Sequence, residues 1–181
     1  MASHRFLGSQ PIDSLYRISS LAGRIEDPAE ALRVILDEIV SLFDASSASV
    51  SLLHPETREL RIEAASGLPP DRLDTRLRPG EGVTGWVALH GQPLLVNDTD
   101  RDRRYVQRRP GIRSEIAVPM EDRGQVIGVV NVDSDRPANF AADDVKLLTL
   151  LTREATRAVS QIWAVRQLRT KAHQFSRLAE L

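Results

Sequence analysis

The stretch EIAVPMEDRGQVIGVVNV, Glu115–Val132, decides how this 181-residue chain folds. Glu115 to Met120 alternates with the period of two expected of a half-buried strand. Asp122, Arg123 and Gly124 supply a tight turn, and Gln125 to Val132 forms an apolar strand, so the two strands close as a β-hairpin. A second hairpin lies upstream. There Ala48, Val50 and Leu52 alternate with Ser47, Ser49 and Ser51, the segment His54 to Thr57 turns the chain, and Leu60 to Ala64 alternates again. Strands that arrive in hairpins rather than in βαβ units predict an antiparallel sheet with helices packed on it, an α+β layer fold.

Helices flank both hairpins. Ile12, Leu15, Ile18, Leu21 and Ala22 recur at helical spacing over residues 11–24. A second helix opens at Asp27, with Pro28 at its first position and Glu30 completing a capping box. Its apolar stripe runs from Ala31 to Phe43. Residues 67–79 read as loop or a short helical turn, Gly80–Gly91 as a glycine-rich entry into a short helix, Pro93–Val96 as a strand and residues 102–109 as helical. Residues 141–181 contain neither Gly nor Pro and form one long helix, far beyond the usual length of about 11–12 residues.

Composition excludes several functions. With 41% apolar residues the chain buries a core without metals or disulfides, and with no cysteine it has no thiolate ligand, thiol nucleophile or cysteine-linked chromophore. Lys+Arg (24) and Asp+Glu (25) nearly cancel, which argues against a nucleic-acid surface. The one basic cluster, Arg101, Arg103, Arg104, Arg108 and Arg109, reads as a solvated face. No stretch approaches a membrane span and residues 1–10 lack a secretory core, so a cytoplasmic location with no membrane partner is expected. None of the four histidines sits in a metal-binding pattern. The glycines at 80, 82 and 85 have the wrong spacing for a dinucleotide loop, and no P-loop lysine follows.

Five phrases in order resemble the GAF domain family: Arg78–Val87 (RPGEGVTGWV), Pro93–Asp98 (PLLVND), Ile112–Met120 (IRSEIAVPM), Gly128–Ser134 (GVVNVDS), and Phe140 with Asp143 and Asp144 before a leucine-rich helix. The resemblance covers about residues 28–162. It implies a GAF-like (PAS-like) central antiparallel sheet with helices on one face, a loop-walled ligand pocket on the other, and a regulatory role in signalling. Bilin-binding members attach their chromophore through cysteine, and free-methionine-sulfoxide reductases use cysteine chemistry, so both usual mechanisms are absent. Cyclic-nucleotide-binding members carry Asn-Lys and later Phe, three residues and Asp-Glu. Asn131, Phe140 and Asp144 match, but Val132 and Val145 replace the Lys and Glu, which argues against cyclic nucleotides.

Ligand contacts are expected from Trp86, Tyr105, Arg113, Ser114 and Asp133. Trp86 and Tyr105 lie in the segment that crosses the sheet, and a guanidinium holds carboxylates or phosphates. Hairpin geometry places Arg113 near Asp133, where the two would pair in the empty state while a small anionic or polar-aromatic ligand competes for Arg113. Each residue also has a structural reading: Trp86 as core, Arg113 in an ion pair with Glu115 or Asp133, the glycines as turn formers. With no convergent nucleophile and base in view, a non-catalytic sensory module is expected. A ligand-free dimer scaffold and an enzyme on the same fold are the alternatives. The ligand itself is not readable.

The long helix predicts a partner. Leu151, Ala155, Ala158, Ile162 and Val165 step by four and three, and the step of three repeats at Leu168, a slip in a heptad seam. A parallel homodimer through residues 12–22 and 147–179 follows. The expected organisation is residues 1–27 as N-terminal extension and helix, 28–162 as GAF domain, and 163–181 as signalling helix leading to an output domain outside this chain.

Overall fold

The computed structural model describes residues 10–105 and 111–179, with backbone alone at 166, 167 and 169–179. Helices α1 (Gln10–Ser19) and α2 (Pro28–Phe43) precede strands β1 (Ser47–Leu53), β2 (Leu60–Ser66) and β3 (Arg76–Leu77). Helix α3 (Gly82–His90), strands β4 (Leu94–Val96), β5 (Ser114–Asp122) and β6 (Gln125–Ser134), and helix α4 (Ala142–Ala179) follow. The six strands form one antiparallel sheet in the order β3-β2-β1-β6-β5-β4. Both expected hairpins are present, and β1 pairs with β6 to join them. The α+β architecture expected from the hairpin pattern is the one observed.

Local chemistry sets the ends of these elements. Asp27 caps α2 by accepting from the Ala29 N–H, and Pro28 occupies the first turn. The β5–β6 turn places Arg123 and Gly124 at φ 50° and 77°, the left-handed pair of a two-residue hairpin. Helix α1 stops at Ser19, short of the expected residue 24, and a single 3-10 turn covers Leu21–Gly23. Ser19 Oγ and Ser20 Oγ donate to the carbonyls of Tyr16 and Arg17, which competes with helix continuation. The helix expected over 102–109 is absent from its described part. Asp102 accepts from both the backbone and the side chain of Arg104, a local turn that replaces helical bonding, and residues 106–109 lie outside the described residues.

Alternation along the strands sorts residues between two faces. Ala48, Val50, Ile116, Val118, Val130 and Val132 pack against α2 and α4 in the main core. Helix α2 contributes Leu32, Ile35, Leu36, Ile39 and Phe43, all fully buried, at about 1.5–3 kcal/mol of burial each. The other face carries Ala117 and Val129 under Val83 and Val87 of α3, with polar residues beside them. Among the described residues no helix is long and apolar enough to cross a membrane.

The seam expected on α4 faces inward. Leu151, Ala155, Ala158 and Ile162 are buried in this chain's own domain and are closed to a partner, because one stripe of a helix packs against one surface at a time. On α1 and α4 the large apolar residues left exposed, among those described, are Ile12, Tyr16, Leu150, Val165 and Leu168.

Candidate functional site

On the α3 side of the sheet a cavity of about 110 Å³ opens between β1, β5, β6 and the 68–84 segment. Its floor is polar because alternate strand residues are polar there: Ser49 and Ser51 of β1, Glu115 of β5, and Asn131 and Asp133 of β6. Its rim comes from Arg72, Thr75, Thr84 and Tyr105. Gly82 at φ 68° turns the chain into α3 against this rim. Gly85 lets α3 sit close, since a Cβ there would lie 2.4 Å from the Arg78 carbonyl oxygen.

The floor is an acid cluster. Glu115 and Asp133 are directly opposite on neighbouring strands, and both are more than nine-tenths buried. Asp133 accepts from Asn131 Nδ2 at 2.9 Å and from Ser47 Oγ at 3.2 Å. Burial, then the charges of Asp133 and Asp102, push Glu115 well above the usual carboxylate range, against a hydrogen bond from Asn131. Asn131 Oδ1 is buried and accepts no hydrogen bond. Asp102 differs: the Arg104 guanidinium, at 2.6 and 2.9 Å, holds its carboxyl below the usual range. Arg104 also lies 5.6 Å over the Trp86 ring, which stacks on His90 at 4.2 Å.

Two of the five expected contact residues, Tyr105 and Asp133, line this cavity. Trp86 packs beside Val83 and Val87 in the α3 core and stacks on His90, outside the cavity lining. Ser114 lies on the helix side of the sheet, where its Oγ donates to the Arg136 carbonyl at 2.7 Å. Arg113 precedes β5 and turns to Asp98 and Asp100, at 3.4 and 3.5 Å, so the expected Arg113–Asp133 pair does not form. The two carboxylates beyond β4 stand nearer to Arg113 and are more exposed than Asp133, so pairing with them costs less desolvation. Glu115, Asn131, Ser49 and Ser51 are polar floor residues that the sequence reading did not place there. Their signal is polar residues two apart within apolar strands.

The architecture has a family. The chain belongs to the GAF domain family, whose profile matches residues 26–160. Over 178 residues it is 26% identical to a Nif-specific regulatory protein of Herbaspirillum seropedicae, a match that covers 91% of this chain and 33% of that protein. The chain thus spans about a third of that relative. Among solved structures, a free methionine-R-sulfoxide reductase from Neisseria meningitidis, in complex with its substrate, superposes with a TM-score of 0.78 at 24% identity, covering 86% of this chain and 91% of that one. The GAF domain of an Acinetobacter phosphoenolpyruvate-protein phosphotransferase superposes with a TM-score of 0.77 at 20% identity, covering 88% and 98%.

These structures correct the expectation that the chain is no enzyme. Three of the similar structures are free methionine-R-sulfoxide reductases, enzymes built on this architecture. A missing nucleophile–base pair in the sequence is therefore no ground for excluding catalysis on this fold.

Proposed function

We propose that this chain is the sensory part of a signalling regulator, in which a small molecule enters the sheet-face cavity and its presence is passed to α4. One observation carries the reading: β5 and β6 form the cavity floor with Glu115, Asn131 and Asp133, and their opposite face, with Ile116, Val118 and Val132, belongs to the core that seats α4. A shift of either strand is felt on both sides, because a close-packed sheet transmits displacement. The similarity to a segment of Nif-specific regulatory proteins supports a regulatory role for residues 28–162, with 1–27 and 163–181 as flanking elements toward an output domain.

The same reading makes the chain a homodimer. Ile12, Tyr16 and Leu150 line one groove between α1 and α4 and are about half or more exposed. Val165 and Leu168 extend this exposed apolar character along α4. Two copies packed through these residues bury apolar surface that one domain leaves wet.

A thermal-shift screen of small metabolites on wild type and Ser51→Phe tests the cavity assignment. Ser51 lines the cavity, so a phenyl ring there fills it. Compounds that stabilise the wild type and not the variant support the reading. Equal stabilisation of both places the binding elsewhere.

A further inference from the structure

We infer that the distal part of α4 and the groove at its base form a docking site for an acidic segment of a partner protein, which sets an apolar residue against Trp163 and runs its carboxylates along the helix. Charge is distributed unevenly along the chain. Between Glu154 and Glu180 there is no acidic residue, while Arg157, Arg166, Arg169, Lys171 and Arg177 contribute five cations. The rest of the chain then holds 19 Lys+Arg against 25 Asp+Glu, so the near-zero net charge conceals a basic helix on an acidic domain. Helix α4 runs to Ala179, but its last buried side chain, among those described, is Ile162, and Ala164, Val165 and Leu168 are exposed. Residues 164–179 therefore extend about 24 Å past the packed part of the helix, at 1.5 Å per residue. A second copy laid alongside adds the same cations and no acid, so a dimer of this chain raises the demand for an acidic partner.

The groove supplies the anchor. A space of about 670 Å³ opens between α4 and the ends of β1, β2 and β6. Leu52, Leu53, Ile127 and the indole of Trp163 form its apolar wall, and Leu52, Ile127 and Trp163 pack on the main core, on the face of the sheet opposite the cavity. Among the described lining residues the formal charges balance, Arg61 and Arg123 against Glu63 and Asp122. That end therefore suits an apolar side chain, and the helix beyond it, where only cations follow, suits carboxylates. Arg61 makes a 3.3 Å contact to Glu59 through Nη2, while its Nε is buried without a hydrogen-bond partner. A carboxylate of the docked segment satisfies that donor. A nucleic-acid backbone fits less well, because Glu63 and Asp122 repel phosphates and the apolar wall gains nothing from them.

The test titrates the whole chain, carrying Trp86→Phe so that Trp163 is its one indole, with a synthetic peptide of leucine and glutamate in helical alternation. A lysine-for-glutamate version, a leucine-free oligoglutamate and a DNA duplex are the controls. The expected result is a saturable change in Trp163 emission with the leucine–glutamate peptide, weakened at least about tenfold by Ala164→Glu and by Arg166→Gln combined with Arg169→Gln. Calorimetric titration of the wild type reads the same affinity without the Trp86 substitution. Equal binding of the lysine peptide removes charge recognition, and equal binding of oligoglutamate removes the apolar anchor; either overturns the assignment. Tighter binding of the DNA duplex makes the helix a nucleic-acid surface instead. Emission that shifts with chain concentration and then ignores the peptide shows a second copy covering the site, which also overturns the assignment. So does an emission and a heat signal unchanged by every probe.

Discussion

Replacing Glu115 by Gln removes a buried ionisable group without changing its shape, and the consequence for stability depends on pH with a fixed sign. Burial and the neighbouring Asp133 raise the carboxyl of Glu115 well above its ordinary value of 4.5. The folded chain therefore keeps a proton that the unfolded chain releases between that value and the folded one. Where the folded state binds more protons, stability falls as pH rises. One proton sets the ceiling on the slope at about 1.4 kcal/mol per pH unit. The contribution is fully present below the ordinary value and is lost as pH climbs through the folded one. The variant has no proton to lose. Urea unfolding followed by circular dichroism at several pH values between about 5 and 8 should show the variant gaining on the wild type as pH rises, by up to the ceiling slope. A stability difference that stays constant or shrinks over this range refutes the argument that Glu115 is buried beside a second carboxylate.

Three further outcomes follow from packing. Gly85→Ala should cost about 1–3 kcal/mol by thermal unfolding, because its Cβ would meet the Arg78 carbonyl at 2.4 Å and the backbone must move. Ile162→Glu should unfold the domain or cost about 3–5 kcal/mol, since it places a charge where 3% exposure remains. Tyr16→Glu with Leu150→Glu should leave circular dichroism unchanged and turn a dimer into a monomer by light scattering, and a persistent dimer places the interface elsewhere.

The hairpins were legible because Asp122, Arg123 and Gly124 carry turn chemistry between two runs of period two. The capped start of α2 was equally readable from Asp27 and Pro28. Which face of β5 meets the helices was not readable, because both faces of β5 and β6 carry apolar residues: Ile116 and Val132 on one, Ala117 and Val129 on the other. Ser114 stands at the start of β5, where alternation along the strand turns it to the helix side and Glu115 to the cavity. The expected Arg113–Asp133 pair is absent for a different reason. Its partners Asp98 and Asp100 lie in the turn after β4, and their position depends on β4 pairing with β5 at the sheet edge, a long-range contact. On α4 the stripe from Leu151 to Ile162 has the spacing of a dimer seam and of a core-facing helix alike. Periodicity finds the stripe, and only the fold says what covers it.

Occupancy of the sheet-face cavity should be felt in α4. Hydrogen exchange with mass spectrometry, using the strongest compound from the wild-type-selective thermal screen, measures this directly. The predicted result is slowed exchange in peptides from β5 and β6 together with a change in α4 between residues 142 and 165, both absent in Ser51→Phe. Protection confined to other surfaces, or protected β5 and β6 with α4 unchanged, contradicts it.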